Sequence, residues 1–320
     1  MTPPVGLLVM AYGTASAPDD VERYYTDIRG GRPPSPEALA GLKARYAAIG
    51  NRFPLLDITR RQADGVAALL NADAAGPEFR PYLGMKHSPP FIPEAVARMR
   101  EDGIERAVGL VMAPHWSGMS VETYIERVEK AVADGDGGPA FTFVRRWYDH
   151  PRFVDFLAAR VAAAAASLPP NVRRDAAVIF SAHSLPVREG GLCLRCTACE
   201  GGCEYDRELR ETASLVGAAL GLRGVDVAWQ SAGHTADPWR GPPIEDAIRE
   251  VASRGHPAVV VCSAGFVADH LEILYDLDIE TRRIAEGAGL LFARTEMPND
   301  DPAFLEALAG VVRDHLAKER

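Results

Sequence analysis

One histidine and three carboxylates stand at spacings that suit metal and proton chemistry. His183 closes the apolar run of "AAVIFSAHS", and Glu272, Asp276 and Glu280 recur every four residues in "GFVADHLEILYDLDIE". Residues four apart share one face of an α-helix, so the carboxylates are expected to form a single acidic row. Leu271, Ile273, Leu274, Leu277 and Ile279 supply apolar packing around it. Like charges at that spacing repel by about a few tenths of a kcal/mol per exposed pair, so the row costs stability unless a cation passes along it. Imidazole and carboxylate together suit borderline divalent metals, and both accept protons near neutral pH. The plain alternative is an exposed acidic helix face; the position just past a strand end, with His270 in the same turn, weighs against it. A Ser-His-Asp hydrolase fails on pattern, because the chain has no G-x-S-x-G elbow.

Four of the five cysteines, Cys193, Cys196, Cys199 and Cys203, read C-x2-C-x2-C-x3-C. A disulfide framework does not suit a cytoplasmic chain, whereas four thiolates at this spacing suit an iron–sulfur cluster, with zinc the structural alternative. The spacing is that of the [4Fe–4S] run of bacterial ferredoxins, except that Glu204 stands where a proline is usual. This insert, residues 188–206, follows the strand that ends in His183, so a bound group there would staple the loop presenting the imidazole. Cys262, at the end of "AVVVC", reads as core.

The elements that must hold these residues are legible as eight short apolar runs alternating with Ala-, Arg- and Glu-rich segments. Near-continuous apolar strands separated by helical patterns imply parallel sheets covered on both faces. In 320 residues this predicts an α/β chain of two Rossmann-like domains, each a roughly four-stranded parallel sheet. The expected division is 1–150, closed by a C-terminal helix at 302–318, and 151–300, which carries the insert. Two segments, "KHSPPFIPEAVARMREDGIERAVGLVMAPHWS" and "GHTADPWRGPPIEDAIREVASRGHPAVVVCSAGFVADH", follow one order of features, consistent with duplication or with two βαβ units obeying the same physics. Five of the eight histidines (His87, His115, His183, His234, His270) lie at or just past strand ends, where open α/β sheets bind ligands.

A net charge of −9 argues against a general nucleic-acid binder. No apolar stretch reaches the roughly 18 residues of a membrane span, and the N-terminal run reads as a first strand rather than a signal peptide, so a cytoplasmic protein is expected. Residues 29–61 nevertheless carry seven basic side chains against two acidic ones, which suits an anionic small molecule or a plain solvated surface.

The stretches "GLLVMAYGT", "ERYYTDIRGGRPP", "GMKHSPPFI", "APHWS", "SAHSLP", "WQSAGHTADPW" and "GFVADHLEILYD" together resemble the ferrochelatases, in particular the short bacterial type assigned to coproporphyrin III. The resemblance implies a chelatase-type fold and insertion of Fe2+ into a porphyrin, in a cleft between the domains, for haem biosynthesis. It implies that His183 and Glu272 handle metal and protons, with Asp276 and Glu280 continuing the metal path. Tyr12 would face the metal across the macrocycle; Arg29, Arg45, Tyr46 and Tyr124 would contact the porphyrin, and Lys86, His87 and Trp229 would line the same cleft. It also implies a [2Fe–2S] cluster on the cysteine insert, rather than the [4Fe–4S] or zinc that spacing alone allows. Protoporphyrin IX, a sirohydrochlorin-type ring taking cobalt or nickel, and a two-lobed haem or metal carrier are the competing readings. Phe53 stands where the family commonly has a serine, with Arg52 a candidate to compensate. The absence of a cysteine-bearing C-terminal extension implies a monomer, with a transient partner for haem hand-off.

Overall fold

The computed structural model describes residues 3–73, 76–135, 137–188, 192–195, 202–233 and 235–319. The first half of the chain contains β1 (Val5–Ala11), α1 (Val21–Ile28), α2 (Pro36–Ala48), α3 (Leu55–Asn71), β2 (Phe79–Met85), α4 (Ile92–Glu101), β3 (Arg106–Val111), α5 (Val121–Asp134) and β4 (Ala140–Val144). The second contains α6 (Pro151–Ser167), β5 (Ala177–His183), α7 (Glu204–Ala219), β6 (Asp226–Gln230), α8 (Ile244–Ser253), β7 (Ala258–Ser263), α9 (Leu271–Leu274), α10 (Arg282–Gly287), β8 (Leu291–Arg294) and α11 (Pro302–Lys318). The eight expected strands pair in parallel as two sheets of identical plan, β2-β1-β3-β4 and β6-β5-β7-β8.

The strands are apolar on both faces because both faces are covered: every residue of β1 and β7 is buried. α3 packs on β1 and β2, α6 packs on β7 and β8, and α11 lies against both α3 and α6. One apolar cluster therefore runs from Leu7 and Leu110 through Phe153, Leu157 and Phe304 to Phe180 and Val260, joining the two sheets. Asp301 caps α11 by accepting a hydrogen bond from the Ala303 amide at 2.8 Å, with Pro302 in its first turn.

The similarity between the two long segments extends to backbone detail. Met85 N–H donates to Pro90 O at 2.7 Å, and Trp229 N–H donates to Pro242 O at 2.9 Å. Both turns follow the edge strand that comes second along its half of the chain, β2 and β6, and contain a cis X-Pro bond, Pro89–Pro90 and Gly241–Pro242.

Helices α1 and α2 leave the first sheet and pack on α9 of the second half. Tyr46 and Ile49 share an apolar cluster there with Leu271 and Leu274. This excursion brings first-half side chains over the carboxyl ends of the second sheet.

Candidate active site

His183 is the last residue of β5 and Glu272 lies in the first turn of α9, just beyond β7. Both therefore lie at the carboxyl end of the second sheet. His183 Nε2 lies 3.6 Å from Glu272 Oε1, and His270 Nε2 lies 3.6 Å from Glu272 Oε2. Each imidazole uses Nδ1–H to bond a backbone carbonyl, His183 to Ser184 O and His270 to Ala268 O. That orients each ring with Nε2 toward the same carboxylate. Two facing acceptors require a proton or a cation between them. Two donors about 2.1 Å from a tetrahedral divalent ion stand about 3.4 Å apart, close to the gap observed here. Gln230 holds the Glu272 backbone, its Nε2 donating to Glu272 O at 3.1 Å.

The protonation balance follows from that geometry. Burial penalises the Glu272 charge, but His183 and His270 more than offset it and hold the carboxyl well below the usual range. For His183, burial opposes protonation, while the Glu272 charge and the Ser184 carbonyl raise its pKa above that of a free imidazole. The pair is poised to hold positive charge in exchange for a proton.

The acidic row is present but not on a regular α-helix. After α9 the backbone widens into a π-turn over Asp276–Thr281, with Glu280 N–H donating to Tyr275 O, five residues back. Asp276 is buried by this turn. Its carboxylate pairs with the Arg45 guanidinium and accepts from Ser231 Oγ at 2.6 Å. Arg45 also lies 3.9 Å from Glu280 and 4.8 Å above the Tyr275 ring. The cation that a row of carboxylates demands is thus an arginine of α2. Even so, burial pushes the Asp276 carboxyl up to about 6 against the pull of Arg45.

The first half supplies a wall above these groups. Tyr12 follows β1 and exposes 45% of its surface; crowding around its hydroxyl and the Glu272 charge raise its pKa. Its ring lies 4.6 Å from that of His87, whose Nδ1 bonds Asp27 Oδ1 at 2.6 Å. Lys86 Nζ sits 5.8 Å from the Tyr12 ring and 5.2 Å from Tyr124, donating to Thr123 Oγ1 at 2.7 Å. Burial, with Arg127 and Arg195 nearby, pulls its pKa down to about 8. Arg29 ends α1 in solvent, over the Tyr25 ring.

Several expected porphyrin contacts are placed differently. Trp229 is 1% exposed and packs behind the wall, under Tyr205 and Arg240, so it supports the cleft and does not line it. Tyr46, Tyr124 and His87 are also buried and offer little surface. Tyr46 shares a hydrogen bond with Thr14 and stacks on Phe53 at 4.6 Å, so Phe53 does packing work where a hydroxyl was expected. Arg45 is engaged by Asp276. Gln230, Ser231 and the carboxylate contact of His270 escaped the sequence reading. The strand-end "WQS" was the only signal for the first two.

Of the insert, Cys193 and Cys203 are described; Cys196 and Cys199, like His234, lie outside the described residues. The two sulfurs are buried and 3.1 Å apart. Among the described residues, no group of three or more His, Cys, Asp or Glu could hold a metal ion. Two hollows, of about 350 Å3 around Arg160 and Arg294 and about 500 Å3 beside β2, lie away from His183 and Glu272.

Two parallel four-stranded sheets, with paired imidazole and carboxylate groups at the carboxyl end of the second, match the chelatase-type fold. The solved structure of SirB from Bacillus subtilis with Fe3+ shares this fold at a TM-score of 0.60 and 9% identity, over 99% of this chain and 97% of that one. CbiX, the terminal enzyme of siroheme biosynthesis in denitrifying bacteria, follows at a TM-score of 0.53 and 11% identity, over 97% and 98%. Sequence narrows the class: the chain belongs to the ferrochelatase family, whose model matches residues 4–316. It is 46% identical over 315 residues to the coproporphyrin III ferrochelatase of Geobacillus kaustophilus, covering 98% of this chain and 96% of that protein. Identity to the coproporphyrin III ferrochelatase of Bacillus subtilis is 45% over 315 residues, 98% of each.

Proposed function

We propose that this chain inserts Fe2+ into coproporphyrin III, with release of two pyrrole protons, as a step of haem biosynthesis. The observation that carries the reading is the 3.6 Å gap between His183 Nε2 and Glu272 Oε1, two acceptors whose opposition a divalent ion or a proton relieves. In this account Fe2+ reaches the pair along Glu280 and Asp276, with Arg45 yielding its contacts as the ion passes. His183 and Glu272 then release the ion upward and accept the protons it displaces. Tyr12 faces the metal from above, while Lys86 and Arg29 supply positive charge for propionates. Puckering a flat ring to expose its nitrogen lone pairs costs on the order of 1–5 kcal/mol, drawn from those remote contacts. The family membership and the named relatives support this substrate and metal.

The donor chemistry of the insert fits a thiolate-bound group. Cys193 hydrogen-bonds the Cys203 sulfur and, over the opposing effect of burial, lowers its pKa toward thiolate. Cys193, Cys196, Cys199 and Cys203 would hold an iron–sulfur cluster, [2Fe–2S] by family resemblance. Bound there, it would supply cross-linking free energy and a one-electron redox centre. We further read residues 1–150, closed by 302–318, and 151–300 as two lobes of a cytoplasmic monomer that hands haem to a transient partner. No described helix is long and apolar enough to cross a membrane.

The test is anaerobic turnover of Fe2+ with coproporphyrin III and protoporphyrin IX side by side. The account expects coproporphyrin to be the better substrate by kcat/KM. Equal or reversed preference removes the substrate assignment. Absence of metalloporphyrin with either ring favours the carrier reading.

A further inference from the structure

The cysteine insert leaves and rejoins the fold beside His183. Past β5 the chain turns back on itself, so that Cys193 bridges Val187, Arg188 N–H donates to Leu192 O at 2.9 Å, and Leu194 N–H to Pro186 O at 3.3 Å. At the far end Cys203 is the N-cap of α7. Two residues on, the Tyr205 hydroxyl donates to the backbone carbonyl of His183 at 3.2 Å. Tyr205 is 7% exposed, its ring 5.2 Å from Trp229 and edge-on to His115 at 6.2 Å, so the phenol has little room to turn elsewhere.

The peptide linking His183 to Ser184 is thereby held at both ends. Its carbonyl accepts from Tyr205, and its N–H donates to Gln230 O at 2.7 Å. The next carbonyl, Ser184 O, is the acceptor that fixes the His183 imidazole through Nδ1. Rotation of the first peptide would carry the second with it and swing Nε2 away from Glu272.

We infer that Tyr205 is a positioning residue for His183, its hydroxyl carrying the docked state of the cysteine insert, through Cys203, to the metal-handling imidazole. The inference deepens the proposed function, resting on His183 as the metal-handling group and on Cys203 as a ligand of the insert. Tyr205 is buried, and its hydroxyl acts through the His183 backbone carbonyl. Its contribution is the angle at which another side chain is presented.

Tyr205→Phe removes one oxygen and keeps the ring. We expect it to retain any visible cluster absorption and the wild-type KM for coproporphyrin, while kcat falls about threefold to tenfold, the worth of one buried hydrogen bond. The 13Cε1 resonance of His183, assigned by its loss in His183→Gln, should shift. Cys203→Ser should shift the same resonance, and adding it to Tyr205→Phe should produce little further change. An unmoved resonance in Tyr205→Phe, or fully additive shifts in the double variant, would overturn the inference. The resonance needs no turnover and no bound group. Inactive or colourless wild-type protein would therefore count against the proposed function or the cluster, while the spectra still decide the role of Tyr205.

Discussion

At the residue scale the account turns on Glu272, which faces two imidazoles with one carboxylate. Glu272→Gln keeps the shape and removes the charge that raises the His183 pKa. We expect that pKa to fall, turnover to drop by about 10²-fold or more, and porphyrin affinity to stay unchanged by fluorescence titration. A Gln variant with wild-type turnover would take Glu272 out of the chemistry. The sequence made His183 and Glu272 legible because a His at a strand end and a Glu in the first helical turn beyond another are both local patterns. It could not disclose Arg45 on Asp276, a contact between residues 231 positions apart. Nor could it separate cleft-lining aromatics from those behind the wall, since Trp229 and Tyr12 differ in burial and not in residue type.

At the element scale, the eight strands were legible from apolar runs, whereas the π-turn was not. Spacing of four between Glu272, Asp276 and Glu280 fits an ordinary α-helix equally well, and only the hydrogen bond from Glu280 to Tyr275 distinguishes them. Strand β5 must end at a fixed height for His183 to meet Glu272, and Gly265 helps set it. The Gly265 amide donates to Ser181 O at 3.1 Å, and a Cβ there would stand 2.4 Å from Ala182 Cβ and 2.8 Å from Ala182 Cα. Gly265→Ala should therefore displace the residue before His183, costing about 1–3 kcal/mol in denaturant unfolding. Turnover should fall roughly tenfold to a hundredfold. The insert makes a second prediction at this scale. Cys196→Ser should bleach any cluster absorption and lower the melting temperature; an unchanged, coloured and equally stable protein would remove Cys196 from the ligand set.

At the scale of the whole molecule, the seam between the halves holds buried titratable groups with a pH signature. His115 is 1% exposed, donates to or accepts from Thr212 Oγ1 at 3.0 Å, and is pulled down to about 3 by burial. An unfolded imidazole takes its proton near pH 6.5, so between there and pH 3 the unfolded chain binds the extra proton, and stability is lost as pH falls. At pH 5 the loss is about 2 kcal/mol relative to pH 8. Glu208, pushed up to about 7 by burial, acts in the opposite sense in the acid range. The His115 effect is therefore read as the difference between wild type and His115→Gln, which should narrow by that amount on acidification; a pH-independent difference would show that His115 is not held neutral. The two-sheet plan was predictable from alternating strands and helices, but the shared core that fuses the sheets depends on how α6 and α11 pack. The central claim, that His183 exchanges protons for Fe2+ beneath a bound ring, meets its most direct test in one anaerobic stopped-flow experiment. His183→Ala loaded with coproporphyrin III is mixed with Fe2+, and the metalloporphyrin spectrum is followed through a single turnover. The account predicts a ring that binds as in wild type and stays metal-free on the wild-type timescale; insertion at the wild-type rate would contradict it.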